Sequence, residues 1–114
     1  MALCIDLDAP LKSLPFLSPI MHWIQTDLYL DPTSGGLTAA AGTEVLCAWT
    51  PPRPPPGAAA HRYVVCLFAQ PKVTGSRVEG RKLGLRERIR CDVNAYVREQ
   101  KLTEMAAAGW FESN

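Results

Sequence analysis

The tripeptide His61-Arg62-Tyr63 holds the most informative chemistry in the sequence. In an extended strand side chains alternate between faces, so His61 and Tyr63 project one way and Arg62 the other. An imidazole and a phenol converging on one face can hold a carboxylate or phosphate oxygen; the alternative is a tyrosine packed in the core with its hydroxyl tied to backbone. Asp6 and Asp8 are read as sharing a strand face, and a carboxylate closing an apolar strand must find a partner or be partly protonated. His22, in another apolar run, is a candidate partner. For each of these residues taken alone, a satisfied structural hydrogen bond or ion pair is the competing reading.

The elements that must position these groups follow from period and punctuation. Met1 to Asp6 reads as a strand, followed by a loop because Pro10, Pro15 and Pro19 exclude both a helix and a central strand. Ile20 to Leu30 alternates loosely between apolar and polar and is read as one strand, stopped by the turn formers Asp31 to Gly36. Glu44 to Trp49 is a short apolar strand. Thr50 to Gly57 is a polyproline-like segment with few backbone donors, and the strong strand signal at Arg62 to Ala69 sets it between two strands of one sheet. Asp92 caps a helix whose apolar face is Val93, Tyr96 and Val97, with Lys101 near its end, where a cation suits the dipole. Ala106 to Phe111 reads as a closing strand. The order is that of a mainly β chain with a late helix.

With 114 residues, close to half of them apolar, the chain has the size of one domain, 1–114, able to bury a core. A net charge of +1 excludes a dedicated nucleic-acid binder, which needs a strong excess of Lys and Arg. No transmembrane segment is expected, and a cytoplasmic location is the default reading. Cys4, Cys47, Cys66 and Cys91 are far apart with no zinc-like spacing, so reduced core thiols are expected. Lys72 to Arg90 holds seven of the twelve Lys and Arg residues against Glu79 and Glu87. This basic stretch is read as a solvated loop and helix edge that matters little to any chemistry.

Taken together, the motifs resemble those of the phosphatidylethanolamine-binding protein (PEBP) family. Asp6-Leu7-Asp8-Ala9-Pro10 is similar to the family's Asp-Pro-Asp-x-Pro signature, and Met21-His22-Trp23-Ile24 to the His-bearing strand that follows it. Pro54-Pro55 followed by His61-Arg62-Tyr63 resembles its second signature, a Gly-Pro-Pro turn and then His-Arg-Tyr. Gln70-Pro71, Cys91 to Val97 and Ala106 to Phe111 match the later strand, helix and closing strand in order, and the wording around His22 is most similar to fungal members. Three departures stand out: Leu7 replaces Pro, Arg53 replaces Gly, and Ala59-Ala60 lack the Gly found before the His.

The resemblance implies a PEBP-like antiparallel sheet fold, N-terminally shortened, and a small cavity lined by Asp6, His22, Pro54, Pro55, His61 and Tyr63. One carboxylate with two imidazoles can keep an imidazole protonated near neutral pH, which with the Tyr63 hydroxyl offers an anion several charge-assisted bonds. Arg62, pointing away, is expected to be a structural ion-pair partner, with Asp8 as the candidate. The first functional expectation is a module binding a small anion, phospholipid head group or acidic metabolite, with a kinase, carboxypeptidase or pathway enzyme as protein partner. The alternative is a fungal natural-product pathway enzyme or accessory protein, assisting cyclisation or dimerisation of maleic anhydride monomers, in which Asp6, His22, His61 and Tyr63 move protons. A two-His, one-carboxylate iron site is the third option; no metal or other cofactor is expected. Since the strands that pair with the first strand in the family are missing, a homodimer completing its sheets near Met1 to Ile5 is also expected.

Overall fold

The computed structural model describes residues 1–70 and 80–114. Its elements are β1 (Ala2–Asp6), β2 (Ile20–Gln25), β3 (Leu28–Leu30), β4 (Leu37–Ala39), β5 (Val45–Cys47), β6 (His61–Phe68), α1 (Leu85–Arg88), α2 (Val93–Glu99) and β7 (Met105–Ser113). Five strands form an antiparallel sheet in the order β5-β2-β1-β6-β7, and β3 and β4 pair separately. The fold class read from the sequence, mainly antiparallel β with a late helix and closing strand, is the one observed.

The first strand is the centre of the sheet. Its residues pair with β2 on one side and β6 on the other, and Met1 to Cys4 are buried. This corrects the expectation of an open edge at Met1 to Ile5. Both flanks of β1 are filled by strands that return to it from later in the chain, so the sheet's edges fall on β5 and β7 instead.

A second correction concerns Ile20 to Leu30, which is not one strand. The chain breaks after Gln25 because Asp27 adopts a left-handed conformation (φ 53°), where its N–H is met by the Gln70 side chain. The residues beyond it form β3 in the small sheet. Within β2 the register steps from Cys4↔Trp23 to Ile5↔Met21, which leaves His22 as the extra residue of a β-bulge. The bulge lets Met21 and Ile24, three residues apart, both enter the core, and it turns His22 away from that core.

That core gathers Leu3, Met21, Ile24, Leu46, Phe68 and Tyr96, with α2 laid over it. Burying each such side chain contributes roughly 1.5–3 kcal/mol, and truncating Ile24 to Ala should cost about 2–5 kcal/mol. Helix α2 starts where expected: the Asp92 carboxylate accepts from the Ala95 N–H at 2.8 Å. It ends in a Schellman motif, with Leu102 N–H donating to Val97 O and Lys101 N–H to Arg98 O, both at 3.0 Å. Lys101 therefore occupies the left-handed position (φ 54°) past the helix end.

Cys4, Cys47 and Cys91 are buried and Cys66 half-buried, and all four thiols are free. Of the basic stretch, Lys72, Arg77 and Glu79, like Pro71, lie outside the described residues. Arg81 bridges Glu87 and Glu99, and Lys82 reaches Glu44, as exposed pairs. Among the described residues no helix is long and apolar enough to cross a membrane.

Candidate functional site

Strand β1 ends at Asp6, directly opposite Tyr63 on β6, and β6 begins at His61. Cross-strand partners share a face, so Asp6, Tyr63 and His61 are brought to one end of the same surface of the sheet. The Asp6 carboxylate accepts from the Asp8 N–H at 2.8 Å and from His61 Nδ1–H at 2.9 Å. His61 is almost wholly buried, and its other ring nitrogen, Nε2, has no partner among the described residues.

Tyr63 stacks on Phe111 and meets the His22 ring edge-on, each at 5.2 Å between centroids. Burial pushes its phenol up to about 12, with the neighbouring Asp6 carboxylate adding to the effect, so it remains an O–H donor across physiological pH. His22 is clamped by Thr50: its Nδ1–H donates to Thr50 O at 2.7 Å, while Thr50 N–H donates to His22 O at 2.9 Å. Its Nε2 is the nitrogen left available.

These groups line a cavity of about 410 Å³. Asp6, His22, Pro55, His61 and Tyr63 all border it; Pro54 does not. In the proline segment Pro51, Arg53 and Pro55 line the cavity, and the half-buried Pro52 and Pro54 do not.

Asp8 also departs from the expectation of a shared face with Asp6. The strand ends at Asp6 and bends, so strict alternation no longer applies beyond it. The buried Asp8 carboxylate instead accepts from Arg62 at Nε (2.9 Å), Nη2 (2.7 Å) and the backbone N–H (2.8 Å). These bonds pull its carboxyl from the ordinary 3.8 down to about 2 against the opposing effect of burial. The pairing of Arg62 with Asp8 is the structural one anticipated.

Several lining residues escaped the sequence reading. Leu85, Arg88 and Ile89, on and just after α1, form part of the wall, and Arg88 Nη1 donates to Ala48 O (3.0 Å) and Thr50 Oγ1 (2.8 Å). The signal was the spacing of Leu85 and Arg88, which share one face of the α1 turn, with Ile89 following at its extended C-cap. Their place in a charge-rich stretch hid it. Among the described residues no three His, Cys, Asp or Glu side chains stand close enough to share a metal ion.

The family model described as phosphatidylethanolamine-binding protein matches residues 1–112. This chain belongs to the PEBP family. It is 32% identical, over 97% of its length, to phomoidride biosynthesis cluster protein N of Talaromyces stipitatus, and 38% identical over 58% of its length to the protein BROTHER of FT and TFL 1 of Arabidopsis thaliana. Among solved structures it superposes on carboxypeptidase Y inhibitor, crystallised with its cognate proteinase, with a TM-score of 0.72 and 27% identity over 97% of the chain. The chain spans 57% of the Talaromyces relative, 33% of the Arabidopsis one and 57% of the inhibitor. Its departure from the PEBP signature at Leu7 has a local reason. Leu7 N–H donates to Arg62 O at 3.0 Å, a bond that proline could not make.

Proposed function

We propose that the chain binds a small anion, a carboxylate or phosphate group, in the cavity between His22, His61 and Tyr63. The observation that carries this reading is His61 Nε2, a buried ring nitrogen that has no partner among the described residues and belongs to a ring already fixed by Asp6. A buried polar atom left without a partner costs on the order of 1–3 kcal/mol, which an incoming acceptor or donor recovers. With Nδ1–H committed to Asp6, a second proton on Nε2 makes the ring a cationic donor aimed at such a ligand, and the Tyr63 O–H lies beside it. Calorimetric titration with phosphate and acetate tests the reading. His61→Gln should weaken either ligand by about tenfold or more with the melting curve intact; equal binding by variant and parent refutes it.

The relative named for a biosynthesis cluster favours a second reading, in which the Asp6–His61 pair transfers a proton at Nε2 during conversion of a pathway intermediate. Reconstitution with a defined precursor separates the two. Unchanged yield and rate in both His61→Gln and Asp6→Asn leave binding alone.

Similarity to the carboxypeptidase Y inhibitor supports a protein partner such as a protease. For a homodimer, the longer of the two sheet edges is β7, nine residues long with Met105 and Trp110 exposed. Antiparallel self-pairing centred on Gly109 would set Trp110 against Ala108 and Phe111 against Ala107 of the second copy, large against small at each step. Light scattering should then report a dimer that Ala108→Lys, a charge on the edge, returns to monomer. A monomeric parent protein overturns this.

A further inference from the structure

We propose that Thr50 is a phosphorylation site for a proline-directed kinase, and that its phosphate is held by Arg88 at the cavity wall, where it closes the site to free anions. Only the closure rests on the anion reading above; the modification and its clamp stand apart from it.

Sequence and access are the first argument. Thr50 is followed at once by Pro51 and, three residues on, by Arg53. A kinase cleft takes its substrate as an extended segment. One built for proline after the acceptor hydroxyl has no partner to offer the N–H that proline lacks, and an acidic wall further along selects a cation. Thr50-Pro51-Pro52-Arg53 meets both demands, and the prolines at 51, 52, 54 and 55 restrict this stretch to extended backbone without help from a sheet. Thr50 is exposed and lies just beyond β5, which is one edge of the main sheet. Its backbone is tied to His22, through Thr50 N–H to His22 O at 2.9 Å and His22 Nδ1–H to Thr50 O at 2.7 Å, and the prolines that follow have no N–H to add. Lifting Thr50 to Arg53 into a kinase cleft therefore leaves the pairing of β1, β2 and β6 intact.

Arg88 is the second argument. Its Nη1 donates to Thr50 Oγ1 at 2.8 Å and to Ala48 O at 3.0 Å, so the guanidinium is already aimed at the hydroxyl that would be modified. Its Nε is buried and has no partner among the described residues. Among those residues no carboxylate pairs with Arg88, and the adjacent acid, Glu87, is taken by Arg81 at 2.6 Å and by the Gly84 N–H at 2.8 Å. A half-buried cation set against a neutral hydroxyl is incompletely matched, whereas a phosphoryl group on that hydroxyl would supply oxygens in the geometry and charge a guanidinium accepts. In the transfer Thr50 Oγ1 attacks the γ-phosphorus of ATP. The new O–P bond forms as the bond to the bridging oxygen of ADP breaks, and the hydroxyl proton passes to the catalytic base of the kinase. Thr50, Arg53, Arg88 and His22 all line the cavity, so the phosphate lies on its wall as a tethered anion. Tethering gives it a high effective concentration, and a free anion then meets an occupied, negatively charged entrance.

Incubating the native protein with ATP and a proline-directed cyclin-dependent kinase, followed by phosphopeptide mass spectrometry, provides the test. Phosphate should appear on Thr50, with that incorporation lost in Thr50→Val. An unmodified Thr50 in the native protein overturns the proposal, whether or not a peptide spanning 46–57 is phosphorylated. Phosphorus NMR titration of the modified protein reads the clamp: the second ionisation of phosphothreonine, about 6 when free, should fall by about one unit and return in Arg88→Gln. A value equal to that of free phosphothreonine overturns the clamp. Calorimetry reads the closure, since acetate should bind the phosphorylated protein about tenfold more weakly than the unmodified one. Equal affinity overturns the closure and leaves the anion pocket standing. Absence of acetate binding by the unmodified protein overturns the anion reading and the closure with it, while the phosphorus titration still decides the clamp.

Discussion

Replacing Asp8 with Asn should destabilise the protein by about 1–2 kcal/mol at neutral pH and by almost nothing near pH 2. The carboxylate is buried and takes three hydrogen bonds from Arg62, at 2.7 to 2.9 Å. Those bonds hold its folded pKa at about 2, against 3.8 for a free carboxyl. At 1.36 kcal/mol for each pKa unit, the difference is worth roughly 2 kcal/mol, and screening of the half-exposed Arg62 side chain trims that figure. The sign follows from proton binding. As pH falls the unfolded chain takes up this proton first, so the stabilisation is complete above about pH 4 and is lost progressively between 4 and 2. Urea unfolding of the parent and Asp8→Asn proteins, followed from pH 7 to pH 2, measures the gap between them while the titration of other carboxyls largely cancels. A gap that stays constant across that range would mean that Asp8 acts through packing alone, and the electrostatic reasoning would fail.

Lys101→Gly should raise stability by about 0.5–1 kcal/mol in the same denaturation assay, because glycine occupies the left-handed position after α2 without the Cβ penalty that lysine bears. Tyr63→Phe should weaken acetate or phosphate binding by about tenfold in calorimetry, since burial keeps the phenol protonated and available as a donor. Burial also pushes the Cys4 thiol up to about 11, with Cys66 and Asp6 adding to the shift. Iodoacetamide at pH 8 should therefore leave Cys4 unmodified in the native protein and alkylate it in urea, as read by mass spectrometry.

What was legible in the sequence is what depends on local period. Apolar runs and small-residue stretches located β1, β5, β6 and β7 to within a few residues and the start of β2, but not its end, and Asp92 announced α2 through its side chain. Pairing across the chain was not legible. Nothing in Ala2 to Asp6 says that strands from both later segments will enclose it, so an edge was expected where the sheet has its centre. The bulge at His22 was hidden for a similar reason. Loose alternation in Ile20 to Gln25 reads as a weak strand, whereas two core residues three apart require an extra residue between them. The strand-borne groups Asp6, His22, His61 and Tyr63, named from the sequence, all line the candidate cavity. Arg88 and its neighbours were not named, because a short charged helix gives no apolar signal and its approach to Thr50 depends on the fold of the intervening chain.

Asp6 and Asp8 show why similar residues two positions apart acquire different roles. Were β1 to continue, both carboxylates would lie on the face carrying His61 and Tyr63, and two buried negative charges would repel the anion that this site is proposed to bind. The bend after Asp6 prevents that. It delivers Asp8 to Arg62, which β6 points away from the cavity, and there the charge is neutralised by a guanidinium and a backbone N–H. Asp6 remains, but one of its oxygens is spent on the Asp8 N–H and the other on His61 Nδ1–H. Although Asp6 borders the cavity, its charge is thus engaged in orienting an imidazole. The hydrogen bond from the Asp8 N–H to the Asp6 carboxylate couples these arrangements, so the ion pair that stabilises the loop also fixes the carboxylate that aims His61. Loosening Asp8 should therefore disturb the site through the orientation of His61 before it disturbs the sheet.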